Sequence, residues 1–261
     1  FFKQKTAYEI YQCDWSSDVC SSDLDTPRVR LEVRERFYQG ETRLENEWPL
    51  ARTQYTPLYL SEGALGGQPA AAAQAIAYEA TTGEAAFRIR FDQDTELSGH
   101  MKLRLWVSAE GADDMDLFVG LRKYDRRGEE VLFPDLNHIE NGQVAYGWLR
   151  VSHRATDPAR STPWQPWRQH DTLEKLRPGE IVPVDIEILP TATLYRAGES
   201  MVLTVQGRDI DHPVNTPQLA KGIIVERVPV RHAQTVNRGR HLIHCGGRYD
   251  SHLLVPRIPR S

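Results

Sequence analysis

The chain is expected to fold as an all-β sandwich, and three observations predict it. Short segments alternate apolar and polar residues with the period of two that a half-buried strand requires. Turn residues separate these segments at short intervals. Apolar patterns of helical period sustained over ten or more residues are scarce, which argues against alternating strands and helices.

The elements follow in order. Residues 28–34, Arg-Val-Arg-Leu-Glu-Val-Arg, alternate cleanly and read as a strand with one buried face. Regularity is lost over 35–49, around Gly40 and Trp48-Pro49. Residues 56–60 lead into a Gly/Ala-rich loop over 63–73, whose alanine run leaves room for a helical turn. Strands are expected over 86–91, 101–107 and 116–124, with Arg126-Arg-Gly-Glu129 as a hairpin turn before 131–133. Over 143–152 both faces hold apolar residues, Val144, Tyr146 and Trp148 on one, Ala145, Leu149 and Val151 on the other. That strand is expected to be central and buried between layers. In 181–189, Pro183 has no amide hydrogen for a ladder, which puts the early part at an edge or bulge. Strands over 200–206, 240–245 and 251–255 complete the series, and Gly179 and Gly198 read as turn glycines.

Composition narrows the classes of function. With 261 residues the chain can form one large or two small domains, and 40% hydrophobic with 26% charged residues is ordinary for a globular protein. A net charge of −4 provides no basic field for nucleic acid or anionic lipid. No apolar run reaches the ~20 residues of a membrane span. The three cysteines, Cys13, Cys20 and Cys245, make no disulfide framework and suit a reducing compartment, so a cytoplasmic location is expected.

Three segments carry a family resemblance. Cys245-Gly-Gly-Arg-Tyr-Asp-Ser-His-Leu-Leu-Val-Pro-Arg-Ile-Pro259, Gly147-Trp-Leu-Arg-Val-Ser-His-Arg154 and Glu187-Ile-Leu-Pro-Thr191 resemble the C-terminal domain of the cocaine esterase and Xaa-Pro dipeptidyl-peptidase serine hydrolases. The resemblance implies a galactose-binding-like jelly roll over 55–261. It also implies that the catalytic residues lie on a preceding α/β-hydrolase domain, the expected partner, whose motifs this chain does not contain. Residues 25–54 are then expected to be the last strand of that hydrolase domain plus a linker. Deprived of its sheet, the strand is expected to be disordered, wrongly paired or docked on the sandwich. Residues 1–24 resemble translated sequencing-adapter read-through and are expected to be a non-native, disordered segment. In the intact parent, the resemblance implies hydrolysis of an ester or of an N-terminal Xaa-Pro peptide bond.

The Gly-x-Ser-x-Gly elbow that exposes a nucleophilic serine is absent; Ser200 after Gly198 comes nearest, with Val202 at the second glycine position. Ser152-His153 and Asp250-Ser251-His252 hold the right residue types, but neighbours on a strand point to opposite faces. His241 and His244, three apart on a strand, also diverge; His252 would have to join one of them to make a zinc site. Asp113-Asp-Met-Asp116 lacks the glycine and terminal glutamate of a calcium loop and reads as a solvated turn. No catalytic, cofactor-binding or metal-binding residue is therefore assigned. The second class of function is a carbohydrate- or ligand-binding module using Trp164 and Trp167, because exposed aromatics on a sandwich can stack on sugar rings. Against it stands the use of such residues, Trp148 included, to cover a sandwich edge or face another domain.

Overall fold

A computed structural model gives the fold and describes residues 27–134, 140–210, 218–220, 223–225 and 235–259. The segment 1–24, with its expected disorder, lies outside the described residues. Apart from one 3-10 turn, Val151–His153, every regular element in the described residues is a strand.

The chain opens with a hairpin, β1 (Val29–Arg36) and β2 (Gln39–Glu45). Next come β3 (Gln54–Ser61), β4 (Ala64–Gly66), β5 (Gln74–Glu79) and β6 (Glu84–Arg90), then the long β7 (Thr95–Glu110) and β8 (Asp116–Tyr124). The short β9 (Glu130–Val131), β10 (Phe133–Pro134) and β11 (Glu140–Gly142) precede β12 (Ala145–Arg150), β13 (Val182–Tyr195) and β14 (Ser200–Gln206). After them, β15 (Gln218–Ala220) pairs with β16 (Ile223–Val225), and β17 (Arg240–Cys245) and β18 (His252–Ile258) follow.

β7 organises one layer. It pairs with β13 along one edge, and with β18 and then β17 along the other. β3 and β5 extend this layer through β18 and β17. The second layer runs β12-β8-β14-β6. Two single bridges join the layers at their corners, Gly147 with Ile188 and Ala64 with Arg88. At the first corner a Cβ on residue 147 would lie 2.5 Å from the Glu187 carbonyl oxygen, so only glycine lets the backbones approach. The alternation in β7 is realised in full: Met101, Leu103, Leu105 and Val107 are wholly buried, while Lys102, Arg104 and Trp106 between them are half-buried. They meet Leu117, Val119 and Leu121 of β8 and Leu203 and Val205 of β14 in one continuous core. The all-β sandwich expected from the pattern is present.

Several local expectations hold. The turn after β8 is closed by Asp125, whose Oδ1 accepts from the backbone N–H of Arg127 (2.8 Å) and Glu129 (3.0 Å). Gly179 and Gly198 have φ of 74° and 87°. From Val182 to Glu187, β13 pairs only with β7, which leaves Pro183 on an edge.

Others need correction. The irregular stretch after β1 contains β2, and the hairpin docks on the sandwich through the parallel pairing of Arg34 with Thr193 in β13. Of the three fates expected for the first strand, docking is the one observed. The alanine run makes no helix. It lies instead against Gly246-Gly247, where the Gly247 N–H donates to the Ala70 carbonyl at 3.0 Å. The strand expected over 143–152 stops at Arg150 and is buried on one face only, because its other face leaves Trp148 49% exposed. The Asp113–Asp116 turn is solvated only at Asp113, which is exposed. Asp114 is buried and its Oδ1 accepts from the N–H groups of Met115 and Ser152, both at 2.9 Å.

Candidate functional site

A serine hydrolase site needs a nucleophile, a base and an orienting acid within hydrogen-bond reach. The structure separates the residues that the sequence placed together. Ser152 sits in the middle of the 3-10 turn with its hydroxyl buried and without a hydrogen-bond partner among the described residues. The Ser251 hydroxyl donates to the His244 carbonyl (2.6 Å) and accepts from the Trp106 N–H (2.9 Å), which ties β17 to β7. The His252 Nδ1 lies 2.6 Å from the Asp250 carbonyl oxygen. Ser200 is buried in β14. Each group is spent on backbone or sealed in the fold.

One pair escaped the sequence reading. The Ser108 hydroxyl lies 2.8 Å from the His244 Nε2, joining adjacent strands. Nothing in the local sequence marks it, since it depends on the β7–β17 register. Both residues are buried, burial lowers the His244 pKa, and no described carboxylate bonds its ring. Without acid or access, the pair has the parts of a base–nucleophile contact but not its working geometry.

His241, His244 and His252 each have a different partner. His241 lies fully buried with its Nδ1 3.2 Å from the Tyr78 hydroxyl, and burial lowers its pKa to about 4. His244 takes Ser108, and His252 packs at 5.6 Å on Tyr59. No three His, Cys, Asp or Glu side chains converge among the described residues. Asp116 instead receives a bidentate contact from Arg150 at 2.7 and 3.0 Å. Burial works to raise its pKa, but the Arg150 and Val236 N–H donors outweigh this and lower it.

Trp164 and Trp167 sit on the long connection from β12 to β13. This loop is ordered by a bridge between Thr156 and Arg168 and by the Asp157 N–H donating to the Trp167 carbonyl at 2.8 Å. Trp164 is half-buried, stacked on Tyr55 at 4.6 Å and 4°. Trp167 is exposed, with the Arg160 guanidinium 3.7 Å from its ring centre. One face of each indole is thus already occupied by the protein.

A densely bonded polar region joins the N-terminal hairpin to the sandwich. Lys123 follows Leu117, Val119 and Leu121 along the inner face of β8 and is almost completely buried. Its Nζ donates to the carbonyls of Glu35 (2.8 Å) and Leu194 (2.7 Å), and contacts the Glu199 carboxylate at 2.8 Å. Burial lowers its pKa, while Glu199 acts in the opposite sense. Around it, Arg196 bonds Glu35 (2.5 and 3.0 Å) and Asp94 (3.0 Å), and Arg43 grips Glu96 at 2.7 and 2.9 Å. One lysine therefore holds β1, β8, β13 and the turn before β14.

Comparison with known proteins agrees with this architecture. Residues 24–254 match the family described as X-Pro dipeptidyl-peptidase C-terminal non-catalytic domain. A protein of Mycobacterium bovis named as a serine esterase is 26% identical over 136 residues, which is 52% of this chain and 20% of that protein; one from Mycobacterium tuberculosis matches equally. A crystal structure of a CocE/NonD family hydrolase from Staphylococcus aureus is 44% identical with a TM-score of 0.83, covering 97% of this chain and 44% of that one. An aminopeptidase from a marine sediment thaumarchaeon shares the fold at 14% identity and a TM-score of 0.62, over 90% of this chain and 41% of its own. The chain thus spans less than half the length of the hydrolases it matches.

Proposed function

Because the chain belongs to the X-Pro dipeptidyl-peptidase C-terminal non-catalytic domain family, we propose that it serves as the accessory β-sandwich of a serine hydrolase whose catalytic residues lie on a separate α/β-hydrolase domain. The parent reaction is acyl transfer on an ester or on an N-terminal Xaa-Pro peptide bond. The observation that carries this reading is the coverage: 97% of this chain aligns with only 44% of a hydrolase. The buried or backbone-bonded serines and histidines of the described fold agree with it.

Residues 25–54 are then the joint: β1 as the closing strand of the hydrolase sheet, then β2 paired to it and a linker. The Lys123 clamp supports this role, because a joint transmits position only if one side of it is rigid. The sandwich supplies that rigid side. A reducing compartment suits the buried free thiol of Cys245, and the cytoplasm is the location that fits. No helix of the described residues is long and apolar enough to cross a membrane.

Two measurements test the reading. A fluorophosphonate probe is expected to leave the chain unlabelled, and covalent modification of Ser108 or any other serine would overturn the assignment. Mixed with the S. aureus hydrolase cut before its own sandwich, the chain is expected to restore ester hydrolysis, and no gain in rate would count against the supporting role.

A further inference from the structure

A hollow of about 350 Å³ lies on the outer face of β8 and β12. Its floor is set by strand register, which places Phe118 opposite Trp148 and Asp116 opposite Arg150. Its wall comes from the loop that follows: the Thr156–Arg168 bridge brings Arg168 and His170 to the lining, beside His153. The volume is within the usual range for small-molecule sites.

The polar groups of this hollow are unequally matched. Arg150 is committed to Asp116 through both carboxylate oxygens. Arg168 is not. Its Nη1 donates to the Arg154 carbonyl at 2.7 Å, and no carboxylate touches it among the described residues. A guanidinium has five N–H donors in a planar fork, so among the described residues most of this one's capacity remains open. Burial lowers the Arg168 pKa, while Asp185 and Glu187 favour its charge from a distance. The His153 Nδ1 is also buried without a partner among the described residues. Beside these donors, Trp148 presents an indole that is 49% exposed and backed by Tyr146, stacked at 5.9 Å and 12°.

We propose that this hollow binds a carboxylate carried on an aromatic body, with the carboxylate on the Arg168 fork and the ring against Trp148. The planar fork matches the two oxygens of a carboxylate. An aromatic wall rewards an aromatic ring over an aliphatic chain. A phosphate dianion fits less well, because the nearby Asp116 carboxylate repels a second negative charge. The binding is a property of the sandwich itself and does not require a hydrolase domain.

The test is a titration followed by ¹⁵N amide and indole signals, using 3-phenylpropionate, N-acetylphenylalanine and the uncharged 3-phenylpropanol. Both acids are expected to shift the Trp148 indole signal saturably at about millimolar concentration. The alcohol is expected to bind at least tenfold more weakly. Arg168→Gln is expected to weaken the acids tenfold and leave the alcohol unchanged. Tighter binding of N-acetylphenylalanine identifies a peptide C-terminus as the source of the carboxylate; equal or tighter binding of 3-phenylpropionate identifies a free aryl acid. Alcohol binding as tight as acid binding, an unmoved Trp148 signal, or wild-type acid affinity in Arg168→Gln would each overturn the site. Arg168 also fastens the loop, so Trp148→Ala at its exposed position decides if Arg168→Gln disturbs the amide spectrum. Tenfold loss of acid binding is expected there, and retention refutes the proposal.

Discussion

The sandwich and the N-terminal hairpin are held by opposite means. Between Leu58 and Val255 one apolar core runs through both layers. The hairpin shares only a small apolar patch, with Leu31, Val33, Leu50 and Ala192 buried in it. Its remaining hold is polar: the Lys123 clamp, the Arg196–Glu35 pair and the Arg43–Glu96 pair. Apolar burial is strong but non-directional, whereas hydrogen bonds fix one geometry. A core needs cohesion, and the joint proposed for the hairpin needs a defined angle. The distribution of residue types follows that division.

Graded substitutions can break or sharpen this contrast. Leu103 is fully buried in the sandwich core, so Leu103→Ala is expected to cost about 4 kcal/mol in denaturant unfolding. Lys123→Met fills a similar volume but leaves Glu199 buried without its cation, and about 3 kcal/mol is expected to be lost. Faster hydrogen exchange in β1 than in β7 should accompany that loss. If the two strands respond equally, the lysine serves the core and not the joint.

Acid provides a third probe. The folded pKa of His241, about 4, lies below its ordinary 6.5, so between these values the unfolded chain binds more protons. Its stabilising effect is complete above pH 6.5 and lost as pH falls towards 4. The loss amounts to up to about 3 kcal/mol, and His244 contributes with the same sign. His241→Phe is expected to flatten this slope in unfolding measured across that window. The smallest effect belongs to the partly exposed pair at the joint: Glu35→Ala is expected to cost less than about 1 kcal/mol. A larger loss would show that the Arg196 network acts as one unit.

Much of the fold was legible in strands whose two faces differ. Residues 101–107 and 29–33 alternate, and the structure buries the expected face of each. β2 was not legible, because Gln-Gly-Glu-Thr-Arg-Leu-Glu has one large apolar residue and is held by pairing with β1. In β12 the apolar residues of the outer face suggested double burial, yet Trp148 remains exposed, since single apolar side chains are ordinary on a folded surface and their presence alone does not prove burial. Asp114 reads as solvated because a carboxylate usually is. Two backbone N–H groups and Lys175 at 3.1 Å make its burial tolerable.

By itself the sequence determined the strand-rich class, the periodicity of the core strands, the turn glycines and the absence of a serine elbow. Each is a local property, written within a few neighbouring residues. Only the tertiary structure decided that Lys123 reaches β1 and β13, that Ser108 meets His244, and that Arg168 and Trp148 line one hollow. Those arrangements bring together residues from 20 to 136 positions apart, and they depend on strand register and loop return, which no local pattern encodes.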